Sequence, residues 1–124
     1  MNSDYKGRKK WIGLSFAING IIAAFRNERN LRIHLIISII VVVFGGIFKV
    51  SSLEWALLVL TIALVITLEM INSSIERVMN YLAPEVHHLV GAIKDIAAGA
   101  VLIAAISSII IGFIIFLPKF MVMF

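Results

Sequence analysis

The stretch LEWALLVLTIALVITLEMINSSIERVMNYL, residues 53–82, decides the fold. Its first sixteen residues carry one charge, Glu54, and then the character changes: Glu69, Asn72, Ser73, Ser74, Glu76 and Arg77 follow within nine positions. An apolar run of about 20 residues crosses the hydrocarbon core of a bilayer as a helix. Nothing here interrupts a helix before Pro84, whose ring and missing N–H end one. The pattern predicts a single helix over 53–82 that spans a membrane and ends in a polar segment.

Working outward, residues 31–48 form another span candidate, with Arg32 and His34 in its first turn, where such side chains reach toward headgroups. A short polar turn at Lys49, Ser51, Ser52 and Glu54 joins it to residues 53–82. Residues 91–117 form the third span, closed by Pro118 and Lys119. Its Ala97, Ala98, Gly99, Ala100, Ala104 and Ala105 are small side chains of the kind that let helix backbones approach closely in lipid. Near the amino terminus, Trp11, Leu14, Ile18, Ile21, Ile22 and Phe25 recur at helical spacing, while Lys10, Asn19 and Arg26 share the opposite side. That predicts an amphipathic surface helix over residues 6–26, lying on the membrane or packed on the spans.

Composition agrees with this reading. Of 124 residues, 61% are hydrophobic and 15% charged, and the mean hydropathy is +1.07. That leaves too few polar residues to clothe a soluble globule, so residues 1–124 read as one all-α integral membrane domain. The absence of cysteine excludes disulfides, zinc thiolate sites and cysteine nucleophiles. The net charge of +4 sits on residues that flank apolar segments and do not interleave with stacking aromatics. Anionic headgroups, not nucleic acid, are the expected counterpart. No short apolar region with a small-residue cleavage site follows the basic start, which is therefore read as mature sequence. Lys6, Arg8, Lys9, Lys10, Arg26, Arg29 and Arg32 precede or open the first span and Arg77 and Lys94 bracket the second connection, leaving Lys49 and Lys119 opposite. By the excess of basic residues on cytoplasmic loops, the amino terminus and the loop between Arg77 and Lys94 face the cytoplasm.

Carboxylates and amides inside a membrane are costly and point to function. Spacings of three, four and seven put Glu69, Asn72 and Glu76 on one helix face, with the two glutamates about 10 Å apart along the axis. Stacked this way, the deeper carboxylate suits a lipid hydroxyl and the shallower one a metal and nucleotide. Glu28, at the junction before the first span, and Lys94 with Asp95, opening the third, are expected at the same boundary. Acid, amide and amine from three segments are what a magnesium nucleotide site requires. The same residues also read as interhelical hydrogen-bonding groups with Glu76 a plain interfacial charge.

The segment from Glu69 to Glu76, together with Gly91-Ala92-Ile93-Lys94-Asp95-Ile96-Ala97-Ala98-Gly99-Ala100-Val101-Leu102, closely resembles the prokaryotic diacylglycerol kinase family over almost the whole chain. The resemblance implies a homotrimer of three-span protomers with composite sites between neighbours near the cytoplasmic face of a bacterial cell membrane. It implies that Glu69 is the general base, that Glu28 and Glu76 hold magnesium accompanying ATP, and that Asn72, Lys94 and Asp95 belong to the nucleotide and phosphate site. Lys9 falls where the family offers a basic nucleotide contact, and Glu85, Val86 and His87 match a cytoplasmic loop that closes over it. Phe16 stands where some relatives have tyrosine, so a contact through that hydroxyl has no counterpart here.

On this resemblance the chain is expected to transfer the γ-phosphoryl group of ATP directly to a lipid alcohol, with no covalent enzyme intermediate. No G-x-x-x-x-G-K-[ST] loop is present, so phosphate binding falls to side chains and metal. Arg26-Asn27-Glu28-Arg29-Asn30-Leu31-Arg32-Ile33-His34 is similar to the undecaprenol kinase branch, which favours undecaprenol over diacylglycerol as the acceptor. His34, His87 and His88 show no ligand constellation and are read as interfacial or structural. A small oligomeric transporter using Glu69 as a cation site is the competing class, although it has no need of Glu28, Glu76, Lys94 and Asp95 together. A non-enzymatic membrane partner assembled through its small-residue helix is a third.

Overall fold

The computed structural model describes residues 9–82 and 88–124, with side chains from residue 13 onward. Within them the chain forms α1 (Lys9–Asn27), α2 (Arg29–Ile47), α3 (Ser52–Leu82) and α4 (His88–Met123). The last three are long and apolar enough to cross a membrane. α3 lies at the centre, packing most extensively on α4 and also on α2. Its 31 residues extend about 46 Å, longer than a hydrocarbon core, so one end must project beyond it.

The corner between α1 and α2 is a single extended residue, Glu28, at φ −107° and ψ 113°. Its backbone N–H still donates to the Ala24 carbonyl at 2.9 Å, so α1 completes its ladder before the chain turns. Helix ends leave carbonyls without intrahelical partners, and here the Arg32 guanidinium donates to the carbonyls of Phe25 at 3.2 Å and Arg26 at 2.6 Å. The sequence had suggested a headgroup role for Arg32; the fold uses it as a clasp between two helices. Leu31, fully buried, sits beneath this corner.

At the other end of α2 the chain reverses through Lys49, in the left-handed region at φ 53°. The Val50 N–H donates to the Gly45 carbonyl at 3.1 Å and the Lys49 N–H to that of Gly46 at 3.3 Å, the paired bonds of a Schellman ending. Ser51 then caps α3. Its Oγ accepts from the Glu54 N–H at 3.2 Å while the Glu54 carboxylate accepts from the Ser51 N–H at 2.9 Å, a reciprocal capping box. Val50, Leu58 and Ile115 form a small core under this turn, with Val41, Trp55, Ile111 and Phe116 against it. The Trp55 ring fits over Gly45 so closely that a Cβ there would lie 2.6 Å from Trp55 Cη2.

α4 departs from the expected boundaries. It begins at His88, not Gly91, and runs through Pro118 to Met123, whereas the sequence had the helix closed by Pro118 and Lys119. Proline removes one backbone hydrogen bond but does not forbid a turn on either side when other contacts hold it. Here Lys119 Nζ donates to Glu54 Oε2 at 2.9 Å, and the Phe120 and Phe124 rings meet at 4.8 Å between centroids. Of the small residues on this helix, Ala104 is buried against the rest of the chain, while Ala98 and Ala100 face outward. Large apolar side chains of α1, α2 and α4, among them Leu14, Ile36, Ile39, Ile103, Phe113 and Ile114, are also exposed. Such a surface needs lipid or protein against it.

Candidate functional site

The apolar stretch of α3 and its polar end occupy opposite ends of the bundle, and the other helices bring matching residues to each. At the end that carries the α2–α3 turn, Glu54 meets Lys119. At the other, α3 presents Glu69, Asn72 and Ser73, all buried, then the half-buried Glu76. Three contacts tie the remaining helices to this end. Glu28 Oε1 lies 3.1 Å from Arg77 Nη2; Lys94 Nζ donates to Asn80 Oδ1 at 2.6 Å; and His34 Nε2 lies 4.0 Å from Glu69 Oε2. The α1–α2 corner, α2 and the start of α4 thus each contact the polar end of α3, through Arg77, Glu69 and Asn80 respectively.

Glu28 makes no side-chain cap on α2; its carboxylate lies against Arg77. Lys94 is bonded to the amide of Asn80, which follows Glu76 by four and continues the face of Glu69, Asn72 and Glu76. On sequence, Arg77 is a topology charge and His34 interfacial or structural; here each faces a carboxylate. Asp95 is exposed and Lys94 half-buried. Phe16 is 58% exposed on α1. Lys9 opens α1, with its side chain outside the described residues, as are Glu85, Val86 and His87 entirely.

Glu69 is 4% exposed, an acid kept from water in an apolar bundle. Asn72, one turn away, is 9% exposed, and its Oδ1 has no hydrogen-bond partner. A buried acceptor without a donor costs about 1–3 kcal/mol, so an incoming donor or cation is favoured there. Oxygen atoms of this kind are the ligands a hard cation such as magnesium takes, and the donor types at this end fit one. Among the described residues no three acidic or histidine side chains gather closely enough to hold it within a single chain.

An apolar crevice of about 410 Å³ runs between α2, α3 and α4 below this end, lined by residues that include His34, Ser38, Val65, Ser108 and Phe116. Its hydroxyls are turned back on their own helices: Ser38 donates to the His34 carbonyl at 2.7 Å and Ser108 to that of Ala104 at 2.8 Å. His34 is the titratable side chain in its lining.

The sequence profile of the family described as prokaryotic diacylglycerol kinase matches residues 15–116, a range that includes Phe16, Glu28, His34, Glu69, Asn72, Glu76, Lys94 and Asp95. The undecaprenol kinase of Bacillus subtilis is 39% identical over 100 residues, 81% of this chain and 81% of that protein. The diacylglycerol kinase of Synechocystis sp. is 35% identical over 108 residues, 86% of this chain but 62% of the relative, so the chain matches less than two thirds of that protein. The diacylglycerol kinase of Escherichia coli K12 is 34% identical over 95 residues, covering 77% and 78% of the two chains. With the profile match extending over most of its length and three helices fit to cross a membrane, the chain belongs to the prokaryotic diacylglycerol kinase family and is a membrane lipid kinase with ATP as phosphoryl donor.

Proposed function

We propose that this kinase phosphorylates undecaprenol to undecaprenyl phosphate at the cytoplasmic face of the membrane, with Glu69 as general base. The observation that carries the reading is the near-complete burial of Glu69 on the same helix face as Asn72 and Glu76. The Glu69 carboxylate removes the proton of the lipid hydroxyl as its oxygen attacks the γ-phosphorus. The P–O bond to the bridging oxygen breaks, and ADP leaves. Asn72, Lys94 and Asp95 hold the nucleotide, with Lys9, Phe16, Glu85, Val86 and His87 beside it. Magnesium, held by Glu28 and Glu76, would offset charge on the phosphate oxygens. The apolar crevice suits part of a hydrocarbon tail.

Homotrimeric assembly, with sites shared between neighbours, fits the exposed apolar faces of α2 and α4 and the unpartnered Asn72 Oδ1. Placement of α1 on the membrane surface fits its exposed Leu14, Ile18, Ile21 and Ile22. Undecaprenol is favoured over diacylglycerol by the segment 26–34 and by the identity to the Bacillus subtilis enzyme. The test supplies purified protein in mixed micelles with magnesium, labelled ATP and either undecaprenol or diacylglycerol. Preferential labelling of undecaprenol is expected; preferential labelling of diacylglycerol reassigns the acceptor, and label in neither lipid rejects the reading.

A further inference from the structure

We propose that His34 is a positioning residue acting through Glu69: its imidazole takes the proton that Glu69 removes from the lipid hydroxyl and passes it toward the polar end of the bundle. This rests on the reading of Glu69 as the general base. Each turnover leaves one proton on the Glu69 carboxylate, because the hydroxyl O–H breaks as the new P–O bond forms while ADP departs with the electron pair of the old one. That proton must leave before the next cycle. A carboxyl group only 4% exposed has little water to give it to.

Among the described residues, His34 is the basic side chain within 4.0 Å of the Glu69 carboxylate. Its side chain is 24% exposed against 6% for that of Glu69, so His34 is the more open member of the pair. Three of the other cations at this end are bonded elsewhere: Arg32 clasps the end of α1, Arg77 holds Glu28, and Lys94 is on Asn80. Arg26, Arg29, Glu76 and Asp95 are the further charged groups there among the described residues. Imidazole is the side chain that gains and loses a proton near neutral pH, and carboxylate–histidine chains carry protons within membranes. The 4.0 Å gap exceeds a hydrogen bond, and one intervening water or a small side-chain rotation closes it. The apolar crevice that His34 also lines carries no other titratable side chain.

His34→Gln keeps hydrogen-bonding capacity without a titratable ring, and His34→Ala leaves room for free imidazole. Both are measured for kcat and lipid KM at saturating MgATP, with whichever of undecaprenol and diacylglycerol the unaltered enzyme turns over faster, alongside Glu69→Gln. The expected result is a loss of about 100-fold in kcat for both His34 variants, lipid KM within about twofold, and partial recovery of His34→Ala, but not Glu69→Gln, on adding imidazole. A His34→Gln enzyme with near-normal kcat overturns the relay, as does a loss in His34→Ala that imidazole leaves untouched. Turnover retained in Glu69→Gln sinks the base assignment itself, whereas an inactive Glu69→Gln beside a fully active His34→Gln sinks the relay alone.

Discussion

Gly45 and Gly46 are neighbours on α2, yet a methyl group added to each should act in opposite directions. A Cβ on Gly45 would lie 2.6, 2.9 and 3.1 Å from three atoms of the Trp55 six-membered ring, well inside the 3.5–4.0 Å at which carbon atoms attract. The three atoms belong to one rigid ring, so relief requires the whole indole to shift, and overpacking of this kind costs about 1–3 kcal/mol. A Cβ on Gly46 meets nothing within 4 Å. Both substitutions gain the same helix preference of alanine over glycine, about 1 kcal/mol, so that term cancels in their difference. Gly46→Ala is therefore expected to be more stable than Gly45→Ala by about 1–3 kcal/mol. Reversible unfolding in mixed detergent micelles reads this directly. Because the chain has two tryptophans, a Trp11→Phe background leaves Trp55 as the sole fluorescent reporter. Equal stability of the two variants, with unchanged Trp55 emission in Gly45→Ala, would refute the packing of that ring on the α2 backbone.

Lys49 occupies the left-handed region at φ 53°, where a side chain costs about 1–2 kcal/mol; Lys49→Gly should raise the unfolding midpoint in the same micelles, and a lowered midpoint would refute the assignment of strain. Ser51→Ala removes half of the capping box and should destabilise by about 1 kcal/mol. Lys119→Ala breaks only a partly exposed ion pair and should cost less, so a reversed order would count against the cap. Arg77→Ala should leave stability nearly unchanged, since exposed pairs contribute about 0–1 kcal/mol. It should, however, free the Glu28 carboxylate and strengthen binding of Mn²⁺, followed by its electron paramagnetic resonance signal. No change in that affinity would detach Glu28 from the metal.

Much of this fold could be read from the order of apolar and polar residues, because a long run of Leu, Ile and Val in water-poor surroundings has few folded options. The boundaries of α3 follow from Ser51 and Glu54 at one end and the polar tail before Pro84 at the other. The extension of α4 past Pro118 did not follow, since the Lys119–Glu54 contact that accompanies it joins residues 65 positions apart in sequence. The site was legible in part for the same reason. Helical spacing fixes which residues share a face, so Glu69, Asn72 and Glu76 could be grouped, and Asn80 belonged to that group by its spacing. Pairings between helices depend on rotation and tilt, which spacing does not carry. Arg77 with Glu28 and His34 with Glu69 needed coordinates.

Depth explains how one helix can serve two substrates that do not mix. Counting about 20 residues from Leu53 puts the far hydrocarbon boundary close to Asn72. Glu69 then lies about 4.5 Å inside it and Glu76 about 6 Å outside. A lipid alcohol floats with its hydroxyl at this boundary and a triphosphate stays in water. In the proposed reaction neither has to enter the other's solvent, because only the γ-phosphoryl group and the hydroxyl oxygen need meet between the two carboxylates. A helix of this kind can dispense with a phosphate-cradling loop. In the proposed reaction Glu69 meets the lipid hydroxyl from just inside this boundary, and His34, on the neighbouring helix, lies 4.0 Å from its carboxylate.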